Sequence, residues 1–201
     1  MSTIEGGMIV TDDAELAEMI TITRSNGWDR NLTSLQQEKW RDRFGIRSEF
    51  DAKYTFYDLG FNTRPTEITG FLGNIQLQYI DASIKKRQEH YRIIQNAVQE
   101  NPHLITVRHN HLTKLSPFAF PLLCDSIDAR EHYLNRFVEA DIEIRPMIAG
   151  NITYQPFYKK YVADHVDLPG ADLLHTQSFY FGNYPELSDE DITLIRDCLK
   201  D

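Results

Sequence analysis

The chain has 201 residues, a formal net charge of −9 from 21 Lys and Arg against 30 Asp and Glu, and a hydrophobic content of 41%. This is the composition of a soluble globular protein, long enough for one large domain or two small ones. It lacks the basic footprint that non-specific nucleic-acid binding needs, and no run of 18 apolar residues offers a membrane span. Cys124 and Cys198 form no CxxC pair, so no disulfide framework is indicated and the cytoplasm is the expected compartment. The opening "MSTIEGGMIVTDD" has no charged segment followed by an apolar stretch, so it does not read as a signal peptide.

In chain order, Met8, Ile9 and Val10 follow two glycines as a short apolar run, the pattern of a buried strand. Asp12 or Asp13 can cap the helix after it, with Leu16, Met19 and Ile20 on one face. Residues 25–60 show no sustained period, and a loop of that length implies a site or an interface. The charge-rich stretch Lys39 to Arg47 reads equally well as a solvated surface helix. From Thr66, the spacing of Ile68, Phe71, Leu72, Ile75 and Tyr79 predicts a helix. A second follows with Ile84, Tyr91, Ile94 and Val98 on one face, stopped at "ENPH" because the residue before Pro disfavours helical backbone.

Beyond residue 102 the texture becomes that of a small α/β sandwich. "LITV", "PFAFPLLC", "IEIRP" and "SFYFGN" read as strands. Asp128 and Glu131 resemble a capping box for a helix with Leu134, Phe137 and Val138 inward. Ser188 and an acidic first turn open a closing helix that buries Ile192, Ile195 and Leu199. The domain organisation expected from this pass is residues 1–60, linking helices over 61–101, and a small α/β domain over 102–201.

Most local signals for chemistry are weak. "EGG" is too short for a phosphate loop, and neither GxGxxG nor GKS/T occurs. "HNH" at 109–111 has no third ligand at a credible spacing, nor do His90, His103, His132, His165 and His175, so no metal is expected. Cys124 reads as a small buried hydrophobe. Three segments stand apart: "SNGWDRNL", "GFNTRPTE" and "IRPMIAGN". Each joins glycine, which admits close approach, to Asn and Arg, which grip phosphate or carboxylate oxygens. Together they point to an anion or sugar site.

The ordered set "EGGMIVTDD", "RSNGWDR", "GFNTRPTEITGFLGNIQLQYID", "IEIRPMIAGN" and "FGNYPELSDEDI" resembles the DegT family of pyridoxal-phosphate-dependent sugar aminotransferases and dehydratases. The resemblance covers essentially the whole chain. "RP" after the Asn and "RPMIAGN" look closest to the branch containing the 3-dehydratase of GDP-4-keto-6-deoxymannose. It implies the C-terminal part of the aspartate-aminotransferase architecture, PLP fold type I: a small α/β domain plus the end of the large cofactor-binding domain. It also implies a homodimer with sites at the subunit interface and a nucleotide-linked 4-keto sugar as substrate. Asn62 matches an Asn that reaches the neighbouring subunit's cofactor phosphate, and Arg30 an Arg that approaches the partner's site. Arg145 and Asn151 are the candidates for the sugar side. Thr66, Glu67 and Gly73 more simply shape their helix. In this matching the catalytic Lys, or the His that replaces it, falls two positions before Met1. Neither Lys39 nor Lys53 is therefore assigned that role, no catalytic residue is assigned within the chain, and the chain alone is expected to be inactive. A non-catalytic dimerisation or sugar-nucleotide-binding remnant of the same fold is the alternative.

Overall fold

A computed structural model of the chain describes residues 2–148, 150–162 and 166–201. Ala149, inside the Arg145–Asn151 segment, and His165 lie outside the described residues. The chain divides into two compact units, Met1–Gln78 and Tyr79–Asp201.

The first unit is helical. Helix α1, Ala14–Thr23, starts at Asp13, whose side chain accepts from the Leu16 amide. Helix α2, Ser34–Phe44, opens on a capping box of Thr33 and Gln36 and closes on Gly45 in the left-handed region. Helix α3 is the single turn Glu49–Ala52; α4, Glu67–Leu77, is capped by Thr66. So the region from 25 to 60 is less irregular than its sequence suggests. The period of α2 is hidden because Trp40 is its only buried residue; charged Lys39 and Arg41 make long-range bonds beside it.

Those charges form two buried knots. Glu18 on α1 is buried and accepts from Lys39 Nζ at 3.0 Å and Trp40 Nε1 at 2.8 Å. Burial pushes its carboxyl up, but the two donors and the Lys39 charge outweigh that and hold it below the usual range. Asp29 is also buried; its Oδ2 accepts from Arg41 Nε at 2.8 Å and Tyr57 Oη at 3.1 Å. The Asp29 bond holds the Arg41 pKa above its ordinary value. Burial, then the Asp29 charge, raises that of Tyr57. Ile22, Leu32 and Trp40 supply the small apolar core between the knots.

Three expectations fail in this unit. Met8, Ile9 and Val10 form no strand and are 88, 69 and 85% exposed. An apolar run becomes a strand only where a neighbouring backbone takes its hydrogen bonds, and none among the described residues does. On α1, Leu16 and Met19 are exposed, whereas Glu18 and Ile22 are buried. The α1 face was misjudged because a paired carboxylate, not a hydrophobe, lies at its centre. The predicted apolar face of α4 is real in spacing, but α4 buries no residue.

The second unit is an antiparallel sheet covered by helices. Its strands are β1, Leu104–Ile105; β2, Ala119–Cys124; β3, Ile144–Pro146; and β4, Ser178–Gly182. Their order is β1-β2-β4-β3, with Phe120 opposite Phe181 and Ile144 opposite Phe181 in the register. Alternation along β2 sends Phe120, Leu122 and Cys124 inward. Pro121 is tolerated because β1 pairs only with Leu123 and Cys124, leaving that flank of β2 open beside it. The covering helices are α5, Ile80–Glu100; α6, Ile127–Glu139; and α9, Asp189–Cys198. Tyr91, Ile94 and Val98 of α5 join Phe137 of α6, Phe179 and Phe181 of β4, and Ile192 and Ile195 of α9 in one core. Ring centroids of Phe137 and Phe181 lie 5.0 Å apart, those of Tyr91 and Phe120 4.7 Å. Burial pushes the Cys124 thiol up to about 12, as for an inert packing residue. Two shorter helices, α7 at Pro156–Tyr161 and α8 at Pro169–Gln177, complete the unit.

Here the sequence-based reading needs small corrections. The cap of α6 is Ser126, whose Oγ accepts from the Ala129 amide at 3.2 Å, not Asp128. Val138 is 63% exposed, and Tyr133 takes its place inside. The "LITV" strand shrinks to two residues.

One surface clip joins β1 to the α6 entrance. His103 Nδ1 and Asp125 Oδ2 are 3.0 Å apart, and the Asp125 amide donates to the His103 carbonyl at 2.9 Å. The bond to Asp125 and its charge raise the His103 pKa; His103 and Ser126 lower that of Asp125. The His103 contribution is complete below the ordinary histidine value of about 6.5 and is lost as pH rises through its raised value. The Asp125 contribution is present above about 3.9 and is lost as pH falls through its lowered value. In a histidine-resolved NMR titration, His103 is expected to titrate above its ordinary value and to return to it in Asp125→Asn. An unchanged midpoint in that variant would show that the clip is not formed in solution.

Candidate functional site

Asn62 and the chain around residues 24–31 are brought together by two glycines. Gly27 has φ +85°, and a Cβ there would lie 2.0 Å from the Asp58 carbonyl oxygen. A Cβ on Gly60 would lie 2.1 Å from the Gly27 nitrogen. Only hydrogen fits where these two backbones cross. The crossing is closed by Asn26 N–H to the Phe61 carbonyl at 2.9 Å, Phe61 N–H to that of Thr23 at 2.7 Å, and Thr63 N–H to that of Arg24 at 3.0 Å. Ser25 and Asn62 form an antiparallel bridge. The Asp29–Arg41–Tyr57 knot anchors the same loop from below, and Tyr57 N–H donates to the Gly27 carbonyl at 2.7 Å.

Above the crossing lies a cleft of about 510 Å³ lined by Arg24, Asn31, Asn62, Arg64, Pro65 and Thr66. Arg64 Nε donates to Asn62 Oδ1 at 3.2 Å. With its oxygen taken, the Asn62 amide has its two N–H donors left to offer. None of the ion pairs among the described residues engages Arg24 or Arg64. In a chain of net charge −9, two such guanidiniums and two amides in one cleft are groups with the chemistry to hold an anion. No lysine lines it.

The sequence-predicted residues are thus partly gathered. Asn62 is central. Arg30 is not among the cleft residues: it donates through Nε at 3.0 Å and through Nη2 to the Lys53 carbonyl, and its guanidinium lies 3.9 Å from the Trp28 ring centroid and 4.6 Å from that of Tyr54. Arg24, Asn31 and Arg64 were not singled out from the sequence. They lie in or beside the two strings that hold Gly27 and Gly60, and only the meeting of those two glycines decides which of their side chains share a cleft.

In the second unit, Arg145 donates from Nε and Nη2 to Glu143 Oε1 at 2.9 and 2.6 Å. It lines a cleft of about 220 Å³ with Arg87, Phe118, Glu143, Tyr180 and Tyr184. Arg87 Nε is buried there without a partner among the described residues. Asn151 is 1% exposed. Its Oδ1 accepts from Thr153 N at 3.0 Å and Thr153 Oγ1 at 2.7 Å, and its Nδ2 donates to Asp172 at 2.7 Å. It caps the 3-10 turn Ile152–Tyr154. Among the described residues no cluster of three His, Cys, Asp or Glu side chains could hold a metal ion, and no helix is long and apolar enough to cross a membrane.

The sequence profile of the DegT/DnrJ/EryC1/StrS aminotransferase family matches residues 1–200. The chain belongs to this family. Among relatives of this DegT-family chain, the GDP-4-keto-6-deoxy-D-mannose 3-dehydratase of Escherichia coli O55:H7 is 29% identical over 205 residues, covering 100% of the chain and 51% of that protein. The UDP-4-amino-4,6-dideoxy-N-acetyl-beta-L-altrosamine transaminase of Campylobacter jejuni serotype O:2 is 24% identical over 212 residues, covering 99% and 48%. The structure of the E. coli dehydratase with bound hydrated PLP superposes with a TM-score of 0.80 at 27% identity, over 100% of this chain and 51% of that one. The sugar aminotransferase CalS13 of Micromonospora echinospora shares the fold at a TM-score of 0.74 and 16% identity, over 99% and 48%. The architecture is therefore the C-terminal part of PLP fold type I, with its small antiparallel sheet. The DegT-family chain spans about half the length of the curated relatives it matches.

Proposed function

We propose that the chain is the C-terminal half of a cytoplasmic, homodimeric, pyridoxal-phosphate-dependent enzyme acting on a nucleotide-linked 4-keto-deoxysugar, by amination or 3-dehydration. The observation that carries this is the Asn62 cleft. Its amide oxygen accepts from Arg64, two guanidiniums that form no ion pair among the described residues flank it, and the donor set fits a phosphate group. Family membership supports reading that group as the cofactor's phosphate. Bound pyridoxal phosphate supplies the electron sink for the carbanion chemistry. Asn62 donates to a phosphate oxygen, and Arg64 both orients Asn62 and adds charge. Arg30, stacked between Trp28 and Tyr54, presents its remaining donors toward a partner's site. Arg145 is the proposed sugar-side contact, hydrogen-bonded to Glu143. Asn151 enters the proposal through the turn it caps, since its amide is engaged by Thr153 and Asp172. Two buried free thiols suit a reducing compartment.

The catalytic Lys or His is proposed to come from sequence outside these 201 residues, so the chain by itself binds anions but does not turn over substrate. Mixing purified chain with pyridoxal phosphate tests this. Phosphate-competed binding without a new visible absorbance band and without turnover of a GDP-linked 4-keto sugar is expected. A band that borohydride fixes covalently to a lysine of the chain would overturn it. The second reading, a non-catalytic dimerisation remnant, is favoured by one observation: α4 buries nothing and exposes Ile68 and Phe71 at 65% each. It predicts a stable dimer with no phosphate affinity.

A further inference from the structure

Trp28 is placed by the faces of its ring rather than by its polar edge. Its Nε1 is buried and has no hydrogen-bond partner among the described residues, although a buried indole N–H usually finds one. The ring centroid instead lies 3.9 Å from the Arg30 guanidinium carbon, 5.9 Å from that of Arg64 and 6.0 Å from the Phe56 centroid, with the two rings 23° from parallel. Both guanidiniums are within the distance over which an aromatic face attracts a cation, about 6 Å, and indole is the best such face. Neither Arg30 nor Arg64 takes part in an ion pair among the described residues. Two like charges beside one ring, with no carboxylate to pair them, repel; the negative face of the ring offsets part of that repulsion. The indole also has a firm base. Gly27, before it, gives its amide to the Ile22 carbonyl at 2.9 Å and its carbonyl to Tyr57 N–H at 2.7 Å. Asp29, after it, is buried against Arg41 and Tyr57. Arg64 comes from the other crossing segment and gives its Nε to Asn62, so the indole is its second anchor.

We infer that Trp28 is a positioning residue for the anion cleft: its indole face holds the Arg64 guanidinium in place for the bound anion while it also carries Arg30. This rests on the phosphate reading of the cleft given above. It gives Trp28, which does not itself line the cleft, an effect on what the cleft binds.

Inorganic phosphate, titrated calorimetrically into the full chain, tests the inference. Trp28→Leu removes the aromatic face but keeps an apolar side chain. It should weaken phosphate by about fivefold, the effect of one cation–π contact at a partly exposed site. Trp28→Phe keeps an aromatic face and should stay within about twofold of the unmodified chain. Emission from Trp40, the other tryptophan of this unit, confirms that each variant is folded. The deciding arm is the double variant. Arg64→Gln itself should bind phosphate more weakly, and adding Trp28→Leu to it should change the affinity no further, because the guanidinium through which the ring acts is already gone. The same loss from Trp28→Leu in both backgrounds would mean that the ring only supports the loop, and would overturn the inference. An unchanged affinity in Trp28→Leu alone would overturn it too, and either result leaves the phosphate reading standing. Failure of phosphate to bind the unmodified chain would overturn both.

Discussion

Asp29→Ala is expected to destabilise the first unit by about 3 kcal/mol, the cost of breaking a buried ion pair by removing one partner. The carboxylate is 1% exposed, and it is the common acceptor for Arg41 and Tyr57. Arg41 keeps 27% of its side chain exposed, so water relieves part of the loss, and the estimate sits at the low end of the range for such pairs. For a unit of this size the total stability is about 4–12 kcal/mol, so the loss is a large fraction of it. The chain's two tryptophans, Trp28 and Trp40, both lie in the first unit. Urea unfolding followed by tryptophan fluorescence therefore reports this unit alone. The midpoint should fall by about 2 M, taking a typical urea dependence for a small unit, while circular dichroism of the second unit is unmoved. Asp29→Asn should lose less, because the amide oxygen still accepts from one donor. If Asp29→Ala unfolds at the unmodified midpoint, the knot contributes nothing and the loop that carries Arg24 and Asn31 is held by the glycine crossing alone.

How much of this was legible in the residues depends on what held each element. The second unit is built by hydrophobic alternation, and alternation is written in sequence. Phe120, Leu122 and Cys124 on β2 and Ile192, Ile195 and Leu199 at α9 could be placed inside from their spacing. The first unit is built by paired charges and backbone crossings. A buried Glu18 looks like a solvated residue until Lys39 and Trp40 are seen to converge on it from 21 and 22 positions away. The run Met8–Val10 was misread because a strand is a property of its neighbours as much as of its own side chains. At the site, the motif strings are visible as Gly, Asn and Arg in close succession, and the family resemblance they carry singles out Asn62. Which arginines would share its cleft was not visible, because that is decided by the meeting of Gly27 and Gly60 across 33 positions, and a sequence records no such approach.

That meeting gives the second large effect. Gly60→Ala is expected to cost about 3 kcal/mol or more, at the upper end for overpacking, and to disable the cleft. The new methyl carbon would sit 2.1 Å from the Gly27 nitrogen, 2.3 Å from the Asn26 carbonyl carbon and 2.8 Å from the Asn26 Cα. All three are backbone atoms, so no side-chain rotation can relieve the contact, and the two segments must part. Parting breaks the bonds from Asn26 N–H to Phe61 and from Phe61 N–H to Thr23. Amide hydrogen exchange should show these two positions losing protection together, while the α2 amides keep theirs. Because Asn62 and Arg64 ride on one segment and Arg24 on the other, the groups that line the cleft separate, and the affinity for inorganic phosphate should fall. Gly70→Ala is the contrasting substitution. A Cβ there meets nothing within 4 Å and lies inside α4, so it should stabilise the helix by about 0.5–1 kcal/mol. If Gly60→Ala behaves like Gly70→Ala, the segments are not in contact in solution, and the cleft that Asn62 shares with Arg24 does not exist as drawn.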